Sequence, residues 1–393
     1  MSIPFNLMAR AFGYLYYHIE SSIVDFSRFN LFIKICHSLT PPYDIVFSLL
    51  LLVYHPATHM VYNLSMFSKP KLLLPEEYVN DAILHINRAS SQIHLLTTIM
   101  MYDDETIPLF EALIAAANRN VHVEVVGDMF SYMERFGQYR IGMPVRNHLQ
   151  PLKILRNRLR RAGVKFIWLG DKANSIVTGR THSKWLVIDD VVYSFGGVNL
   201  SPDGLSSADY MIRLKNIGLA SAIVAEQARI IKANKQGHPY RSHQIEDGEN
   251  TILIDGGFVG RSIIYNEACN LAKQSRRVIY VSQYCPSGKL GKLLKATDTT
   301  FYFNPLNKAV FLNRAAIWLG SLLSGIKTSY SKNVYIHAKC IIFELKDGKK
   351  VALSGSHNFS NGGVWLGTRE ICLKTSDPEI VKLLEQFVEE NIA

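Results

Sequence analysis

The sequence THSKWLVIDDVVYSFGGVN, residues 181–199, contains two short apolar runs that each adjoin a group of polar side chains. His182 and Lys184 stand two residues apart, and on an extended strand that spacing places both side chains on one face. The second apolar run leads to Gly197 and Asn199, which offer open backbone N–H groups and an amide. Together these groups suit a phosphate, because Lys and Asn bind its oxygens while His attacks it or transfers a proton.

A second copy of this pattern lies at residues 337–358. Its polar positions are His337, Lys339, Glu344, Ser356 and Asn358. Glu344 stands where the first copy has Asp189, and ten residues rather than six separate this acid from the first glycine of the glycine turn, Gly355. The longer gap includes Asp347-Gly348 between two apolar runs, which is a common signal for a short hairpin turn. The sequence therefore predicts a longer hairpin tip in the second copy and an unchanged base.

Two His-x-Lys-x4-Asp motifs, each followed by Gly-x-x-Asn, resemble the phospholipase D superfamily. The first copy matches that pattern at every position, and the second departs from it at Glu344 and in its longer gap. The resemblance covers most of the chain from about residue 71 onward. It implies an α/β fold class of two pseudo-symmetric phospholipase D-like α-β-α halves that share one active site, preceded here by an apolar helical N-terminal segment.

The resemblance also implies phosphodiester exchange through a phosphohistidine, formed by one histidine while the other acts as general acid and then as base. The expected catalytic residues are His182, Lys184, Asp189, His337, Lys339 and Glu344. The expected substrate-binding residues are Gly197, Asn199, Asp209, Ser356, Asn358 and Glu370. We assign His182 as the nucleophile, since the N-terminal histidine often has that role in the superfamily. We expect no metal and no other cofactor, because the lysines supply the positive charge.

The acids of the two copies allow two assignments. Asp209 and Glu370 follow the two glycine turns at similar distance, and in the superfamily an acid at that place commonly contacts the histidine of its own half. We therefore favour Asp209 and Glu370 for orienting the imidazoles, as the acid does in a catalytic triad. Asp189 and Glu344 would then hold the fold instead.

An internal duplication is readable outside the motifs as well. The pattern helix–strand–helix–strand occurs at 76–91, 92–101, 105–118 and 122–126, and again at 261–274, 277–283, 288–295 and 300–304. The expected parts of the chain are an apolar segment at 1–70, a first half at 71–235 and a second half at 236–393. The polar stretch 232–247 is expected to be a surface connection between the halves.

Residues 1–70 are rich in aromatic and aliphatic side chains and poor in charges. Their apolar run IVFSLLLLVY, at 45–54, is shorter than the roughly 20 residues of a spanning helix and begins too far along the chain for a cleaved signal peptide. We expect one-sided attachment of this segment to a membrane, on the cytoplasmic side. Packing of the segment against the catalytic halves is the alternative.

Three further segments allow two interpretations each. Residues 129–150 lack a clear period and form either a lid over the site or a long connection. The basic helix at 152–162 presents either a solvated face or a contact for anionic lipid. The apolar helix at 309–323 either joins the core or lines the site, where it would accept acyl chains or dip into the bilayer.

The formal net charge of +10 indicates an anionic partner, either lipid headgroups or nucleic acid. Hydrophobic residues make up 48% of the chain and charged residues 19%, so the chain is less charged than a typical soluble protein. Nucleic-acid binders usually interleave aromatic and basic residues, whereas here the aromatic residues concentrate in the charge-poor N-terminal segment. We therefore favour a phospholipid substrate with an anionic headgroup, an acceptor alcohol or water, and a membrane surface over nucleic acid.

The glycine turn at 196–199 and the apolar N-terminal segment resemble the cardiolipin and phosphatidylserine synthase branch of the superfamily. That branch exchanges a headgroup alcohol on a phospholipid, so we expect a phosphatidyltransferase. Phospholipid hydrolysis and a nuclease of the same superfamily are the alternatives, and the intact His and Lys in both copies disfavour a non-catalytic membrane-remodelling role. Five cysteines without a CxxC pair favour a reducing compartment.

Overall fold

The computed structural model describes residues 68–132, 150–170, 179–306 and 324–393. The helices in these ranges are α1 Pro75–Arg88, α2 Ile107–Asn118, α3 Gln150–Arg161, α4 Pro202–Leu205, α5 Ile217–Gln236, α6 Ile263–Gln274, α7 Gly288–Lys295, α8 Asn361–Leu366 and α9 Pro378–Phe387, which a π-helical turn, Val388–Ile392, extends. The expected membrane segment, most of the 129–150 stretch and the 309–323 helix lie outside the described residues. None of the helices in the described ranges combines the length and apolar content needed to cross a bilayer.

A first sheet of seven strands takes up the chain between residues 68 and 215. Its strands are β1 Ser68–Leu73, β2 Gln92–Thr97, β3 His122–Asp128, β4 Lys165–Leu169, β5 Trp185–Ile188, β6 Val191–Ser194 and β7 Met211–Lys215. They lie in the order β1-β7-β6-β5-β2-β3-β4. The pairs β2/β3 and β3/β4 are parallel, whereas the other neighbouring strands are antiparallel.

A second sheet of seven strands takes up residues 243 to 375. Its strands are β8 His243–Asp247, β9 Asn250–Gly256, β10 Ser275–Val281, β11 Asp298–Tyr302, β12 Cys340–Leu345, β13 Lys350–Gly355 and β14 Arg369–Thr375. They lie in the order β11-β10-β12-β13-β14-β9-β8. Six strands of each sheet follow the same order, since β3-β2-β5-β6-β7-β1 corresponds to β11-β10-β12-β13-β14-β9. Two matching seven-stranded sheets with helices confirm the predicted α/β class and are consistent with two related halves.

Three apolar cores hold these layers together. One core lies on the helical side of the first sheet, where α1, α2 and α3 cover it, and another lies between the second sheet and α6 and α7. The third core joins both sheets, because it includes Trp185 and Ile212 from the first and Ile342 and Ile371 from the second. Helices α5 and α9 also contribute to this shared core. The two halves are therefore fused through a common interior.

Local sequence accounts for the helix ends. Pro75 stands at the first position of α1, and the Glu77 carboxylate accepts a hydrogen bond of 2.9 Å from the Leu74 N–H. In α6 the Ser262 hydroxyl caps the first turn, and α5 ends at Gly237, whose φ of 71° suits a residue without a Cβ. The stretch 232–247, expected to be a surface connection, lies largely at the surface: it continues α5 to Gln236, passes through the mostly exposed residues 237–242 and forms strand β8.

Each motif forms a hairpin whose last strand ends in the glycine turn. In the first, β5 and β6 are joined by Asp189 and Asp190, while in the second a longer tip with Gly348 joins β12 and β13. The longer tip predicted for the second copy is confirmed. A Cβ on Gly196 would lie 1.7 Å from the Tyr210 carbonyl oxygen, so close approach of β7 to this turn requires glycine.

The expected boundaries at residues 70 and 235 remain predictions. Strand β1 begins at Ser68 and pairs with β7, so the first sheet starts just before the expected boundary. The second boundary falls at the end of α5, whose apolar side chains belong to the core shared by both sheets.

Candidate active site

Two histidine–carboxylate pairs connect the two halves. The Nδ1 atom of His182 lies 3.0 Å from Oε2 of Glu370, and Nδ1 of His337 lies 2.7 Å from Oδ2 of Asp209. Each acid therefore contacts the histidine of the opposite half. The expectation that each acid contacts the histidine of its own half was wrong, although Asp209 and Glu370 are the acids beside the imidazoles.

Backbone hydrogen bonds explain why the pairs are crossed. The N–H groups of His182 and Ser183 donate to the Arg369 carbonyl at 2.9 and 3.1 Å. In the same way, the N–H groups of His337 and Ala338 donate to the Ala208 carbonyl, both at 3.0 Å. Each histidine segment is thus bonded to the residue that directly precedes the acid of the other half, so the carboxylate is delivered to the ring by the main chain.

The carboxylates fix which ring nitrogen faces the reaction. An ionised carboxylate only accepts hydrogen bonds, so the neutral imidazole carries its proton on Nδ1 and keeps the lone pair on Nε2. Burial and the Lys339 ammonium together lower the pKa of His182 and the pKa of His337, the latter to about 4. Both rings are therefore neutral near pH 7, with Nε2 free to attack a phosphorus atom or take up a proton.

The two acids stay ionised although both are buried. Burial would raise the pKa of Glu370, but His182, His357 and the Ser356 hydroxyl outweigh it and lower this pKa to about 2. Thr368 Oγ1 donates to the other Glu370 oxygen at 2.8 Å. The pKa of Asp209 is also lowered despite burial, because His337, Lys339 and the Tyr210 N–H stabilise its charge. A fixed negative charge thus lies behind each imidazole.

Two buried lysines stand beside the histidines. Lys184 Nζ donates to Thr98 Oγ1 at 3.1 Å and to the His182 carbonyl at 2.8 Å, and Lys339 Nζ donates to the His337 carbonyl. Burial and the nearby Lys184 charge together lower the pKa of Lys339 to about 7. A phosphate bound between the lysines would relieve this repulsion and restore the full charge on Lys339.

The glycine turns complete the site. The Gly197 N–H donates to Asp209 Oδ1 at 3.1 Å, and a Cβ on Gly197 would lie only 2.7 Å from Asp209 Oδ2. Gly197 and Ser356 thus position the acids, whereas both had been expected to bind substrate. Asn199 and Asn358 each keep a buried side-chain oxygen without a hydrogen-bond partner. A half-turn of such an amide presents its NH₂ group, so both asparagines remain fitted to receive phosphate oxygens.

The acids at the end of each motif lie away from the site. The Asp189 carboxylate accepts the N–H groups of Ser90, Ser91 and Gln92 at 2.9 to 3.0 Å, and so anchors the chain between α1 and β2. Glu344 lies at the far end of β12 and pairs with Arg276. The assignment of Asp189 and Glu344 as catalytic is therefore corrected. Four strand residues separate each acid from its lysine, so the acid lies at the opposite end of the strand from the catalytic site.

Two buried features near the site were missed from the sequence. His357 takes the position of Val198 in the glycine turn, accepts the Phe359 N–H on Nδ1 at 2.8 Å, and acts electrostatically on Glu370 and His182. The Arg180 guanidinium forms a buried ion pair with Asp128 just before His182. The one signal in the sequence for His357 was that a histidine replaces the valine of the first copy. No local pattern predicts the ion pair of Arg180.

Within the described ranges, no three His, Cys, Asp or Glu side chains are grouped as a metal site would require. The expectation that the reaction needs no metal stays a prediction.

Residues 83–231 match the family model described as "Cardiolipin synthase, PLD-like domain". The matched range contains the whole first motif and ends before the second. The chain contains a phospholipase D-like domain. The predicted superfamily and the prediction of an enzyme are confirmed by this match. No curated protein sequence matches the chain significantly.

Solved structures share the fold of this phospholipase D-like chain. The crystal structure of phosphatidylserine synthase from Haemophilus influenzae Rd KW20 aligns with a TM-score of 0.63 at 12% identity, covering 83% of this chain and 87% of that chain. The crystal structure of polyphosphate kinase from Porphyromonas gingivalis aligns with a TM-score of 0.52 at 13% identity, covering 82% of this chain and 50% of that one. At such identities the likeness shows a shared architecture.

The crossed acids should matter far more for turnover than the motif acids. We expect Glu370→Gln and Asp209→Asn each to lower kcat by about a hundredfold or more, since each removes the group that orients and charges an imidazole. The matched change Asp189→Asn should lower the melting temperature while leaving kcat per folded molecule within a few-fold of the original. Thermal unfolding and active-site-normalised rates measure both effects. A kcat loss in Asp189→Asn as large as that in Glu370→Gln would contradict the assignment.

The lowered histidine pKa values predict an unusual pH dependence. With a nitrophenyl phosphodiester the leaving group needs no proton, so kcat/KM depends only on the neutral nucleophile. As the pH falls through the pKa of that imidazole, the lone pair is lost and kcat/KM falls. Because the pKa of each histidine is lowered, the fall of kcat/KM at acidic pH should have its midpoint below 6.5. A midpoint at or above 6.5 would show that burial and Lys339 do not control these rings.

Proposed function

We propose that the chain is a phospholipid phosphatidyltransferase of the cardiolipin synthase type, which exchanges a headgroup alcohol through a phosphohistidine. The observation that carries the proposal is the convergence of both histidine–carboxylate pairs and both buried lysines on one site. A single phosphodiester can then meet a nucleophile on one side and a proton donor on the other. The family match to residues 83–231 supports the phospholipid as substrate.

In the first step, Nε2 of His182 forms a bond to phosphorus and the bond from phosphorus to the leaving headgroup oxygen breaks. That oxygen takes a proton from Nε2 of His337. The negative phosphodiester favours the protonated form of His337, since its charge opposes the effect of the lysines on that pKa. Lys184, Lys339 and the two motif asparagines bind the non-bridging oxygens, where negative charge builds up.

In the second step, an acceptor hydroxyl loses its proton to His337 and its oxygen attacks the phosphorus of the phosphohistidine. The N–P bond breaks, which restores neutral His182 and protonated His337. Transfer and hydrolysis share this intermediate and differ only in whether an alcohol or water reaches it. The Glu370 carboxylate stabilises the positive charge that His182 carries while it is bonded to phosphorus.

The choice of lipid rests on the composition of the chain and on the comparisons. The phosphatidylserine synthase structure aligns over most of both chains, and the first half matches a cardiolipin synthase model. The charge-poor, aromatic N-terminal segment suits attachment to the cytoplasmic face of a membrane, where phospholipid substrate is present. An anionic headgroup fits the formal net charge of +10.

The two histidines should have separable roles. In His337→Ala, a nitrophenyl phosphodiester should still form the adduct, because its leaving group needs no acid, while the second step lacks its base. A phosphohistidine should accumulate on the peptide that contains His182, and mass spectrometry of that peptide detects it. His182→Ala should form no adduct. The matched change His122→Ala, at an exposed ring at the start of β3, should retain full turnover.

An adduct on His337 in the His182→Ala variant would reverse the roles of the two histidines. Substantial turnover by either alanine variant would contradict a shared site. Lipid mass spectrometry of cells that express the protein should show a new phosphatidyl product, absent with His337→Ala and insensitive to EDTA. Accumulation of phosphatidic acid alone would indicate hydrolysis, and cleavage of nucleic acid at a matching rate would favour the nuclease.

Residues 1–70 should determine where the protein resides. Their deletion should move the protein from the membrane fraction to the soluble fraction, because this segment combines a high density of aromatic side chains with few charges. Fractionation by sedimentation, followed by detection of the chain, measures this. Full-length protein in the soluble fraction without detergent would contradict attachment, and an insoluble deletion variant would indicate that the segment packs on the halves.

A further inference from the structure

Several connecting segments leave the second sheet on one side, where the ends of neighbouring strands lie next to the active site. The pairing registers place the ends of β9, β10, β11 and β13 on the same edge as the starts of β12 and β14. Lys339 directly precedes β12, and Glu370 is the second residue of β14. The connecting segments on this side of the sheet therefore surround the part of the catalytic site that the second half contributes. We refer to them as the site edge.

The site edge carries most of the exposed large apolar side chains in the described ranges. Six of the nine such residues belong to it: Phe258, Val259, Leu306, Val334, Trp365 and Leu366. The Trp365 side chain is 64% exposed, which is unusual for the largest side chain in proteins. The remaining three, Leu84, Ile154 and Ile217, lie one each on helices α1, α3 and α5.

Four of the exposed apolar residues, Phe258, Val259, Trp365 and Leu366, lie on two adjacent segments of the site edge. The Gly260 N–H donates to the Val364 carbonyl at 2.8 Å, which holds the Phe258–Val259 loop against α8. A Cβ on Gly260 would lie 4.0 Å from the Trp365 ring. Contiguous exposed apolar surface of this kind marks an interaction site in soluble proteins.

The charge of the site edge is entirely positive. The described connections at 257–262, 282–287, 303–306, 324–339 and 356–368 contain no aspartate or glutamate. Exposed cations flank the apolar group, with Arg261 beside the Phe258 loop, Lys289 in the first turn of α7 and Lys327 on the segment before the second motif. The matching edge of the first sheet differs, since the loop after β2 exposes Asp104 and Glu105.

The site edge is continuous with the reacting groups. The Leu366 carbonyl accepts the Gly179 N–H at 3.1 Å, three residues before His182. Val334 lies three residues before His337, and Leu306 lies two residues after Asn304, whose side chain holds the backbone of Ile336 at 2.8 Å on both sides. A partner surface that contacts the site edge therefore also lies next to the segments that carry His182 and His337.

We propose that the site edge is the face with which the described part of the chain docks on an anionic phospholipid bilayer, with Trp365 and Phe258 inserted among the headgroups and Arg261, Lys289 and Lys327 on the lipid phosphates. Tryptophan suits the boundary between headgroups and acyl chains, and cations there add attraction to anionic lipid. The proposal rests on the proposed function, since a phosphatidyltransferase must take its substrate from a bilayer. It is separate from attachment through residues 1–70.

Bromolipid quenching tests the insertion directly. Full-length protein and its Trp365→Phe variant are mixed with vesicles of brominated phosphatidylcholine, with or without phosphatidylglycerol. We expect the variant to lose a large part of the quenched tryptophan emission, because Trp365 is the exposed indole among the described tryptophans and lies at the proposed contact. We also expect Trp365→Ser with Phe258→Ser to weaken partition into anionic vesicles about tenfold. Equal quenched emission in the original protein and Trp365→Phe would overturn the proposal.

The cations and a matched apolar control sharpen the test. Arg261→Gln and Lys327→Gln should each weaken partition several-fold with anionic vesicles and leave partition with pure phosphatidylcholine unchanged. Leu84→Ser, a change at a 55% exposed residue on α1, should alter partition less than twofold. An effect of Leu84→Ser as large as that of the tryptophan change would overturn the proposal, because it would show non-specific adsorption.

Catalysis is measured separately from docking. All site-edge variants should hydrolyse a soluble nitrophenyl phosphodiester at the original rate, whereas turnover of vesicle phospholipid should fall with partition. Bromolipid quenching without any phospholipid turnover would contradict the proposed function and leave the docking face supported. Phospholipid turnover that survives the loss of Trp365 and Phe258 unchanged would overturn the docking face alone.

Discussion

The structure depends on two hydrogen bonds between a carboxylate of one half and an imidazole of the other. His182 with Glu370 and His337 with Asp209 are buried and crossed, so neither half holds a complete catalytic unit. Removing the imidazole of either pair would leave a buried carboxylate without that hydrogen-bond donor, a change that typically costs roughly 1 to 3 kcal/mol or more. Fusion of the halves through one apolar core is therefore a condition of the chemistry.

The same crossing organises the electrostatics of the site. Two carboxylates lie behind the rings and two ammonium groups lie beside them, and burial strengthens every one of these interactions. The lysines and burial keep the imidazoles neutral, whereas the carboxylates prepare them to carry positive charge. A bound phosphodiester adds the anion that the two lysines face. In the proposed reaction, the bound phosphodiester would therefore change the protonation of groups that are already in place.

The sequence predicted the groups of the site better than their connections. The spacing of His182 and Lys184, repeated at His337 and Lys339, was sufficient because period-two spacing and glycine turns act locally. The crossed partners were not predictable. The distance along the chain from a glycine turn to Asp209 or Glu370 does not show whether that acid contacts the histidine of its own half or of the other half. The prediction that Asp189 is catalytic was wrong because its carboxylate binds backbone N–H groups of a turn nearly a hundred residues away. The repeated sequence of helices and strands was readable from the duplication, whereas the helical and strand parts of 232–247 were not.

The most direct test of the crossing observes the rings themselves. In protein labelled with ¹⁵N-histidine, NMR distinguishes the protonated from the unprotonated ring nitrogen of His182 and His337. In the unmodified protein near pH 7, both rings should carry the proton on Nδ1. Glu370→Gln should then change the nitrogen shifts of His182 and leave those of His337, while Asp209→Asn should do the reverse. A response of His337 to Glu370→Gln, with His182 unaffected, would contradict the crossed pairs on which the proposed chemistry depends.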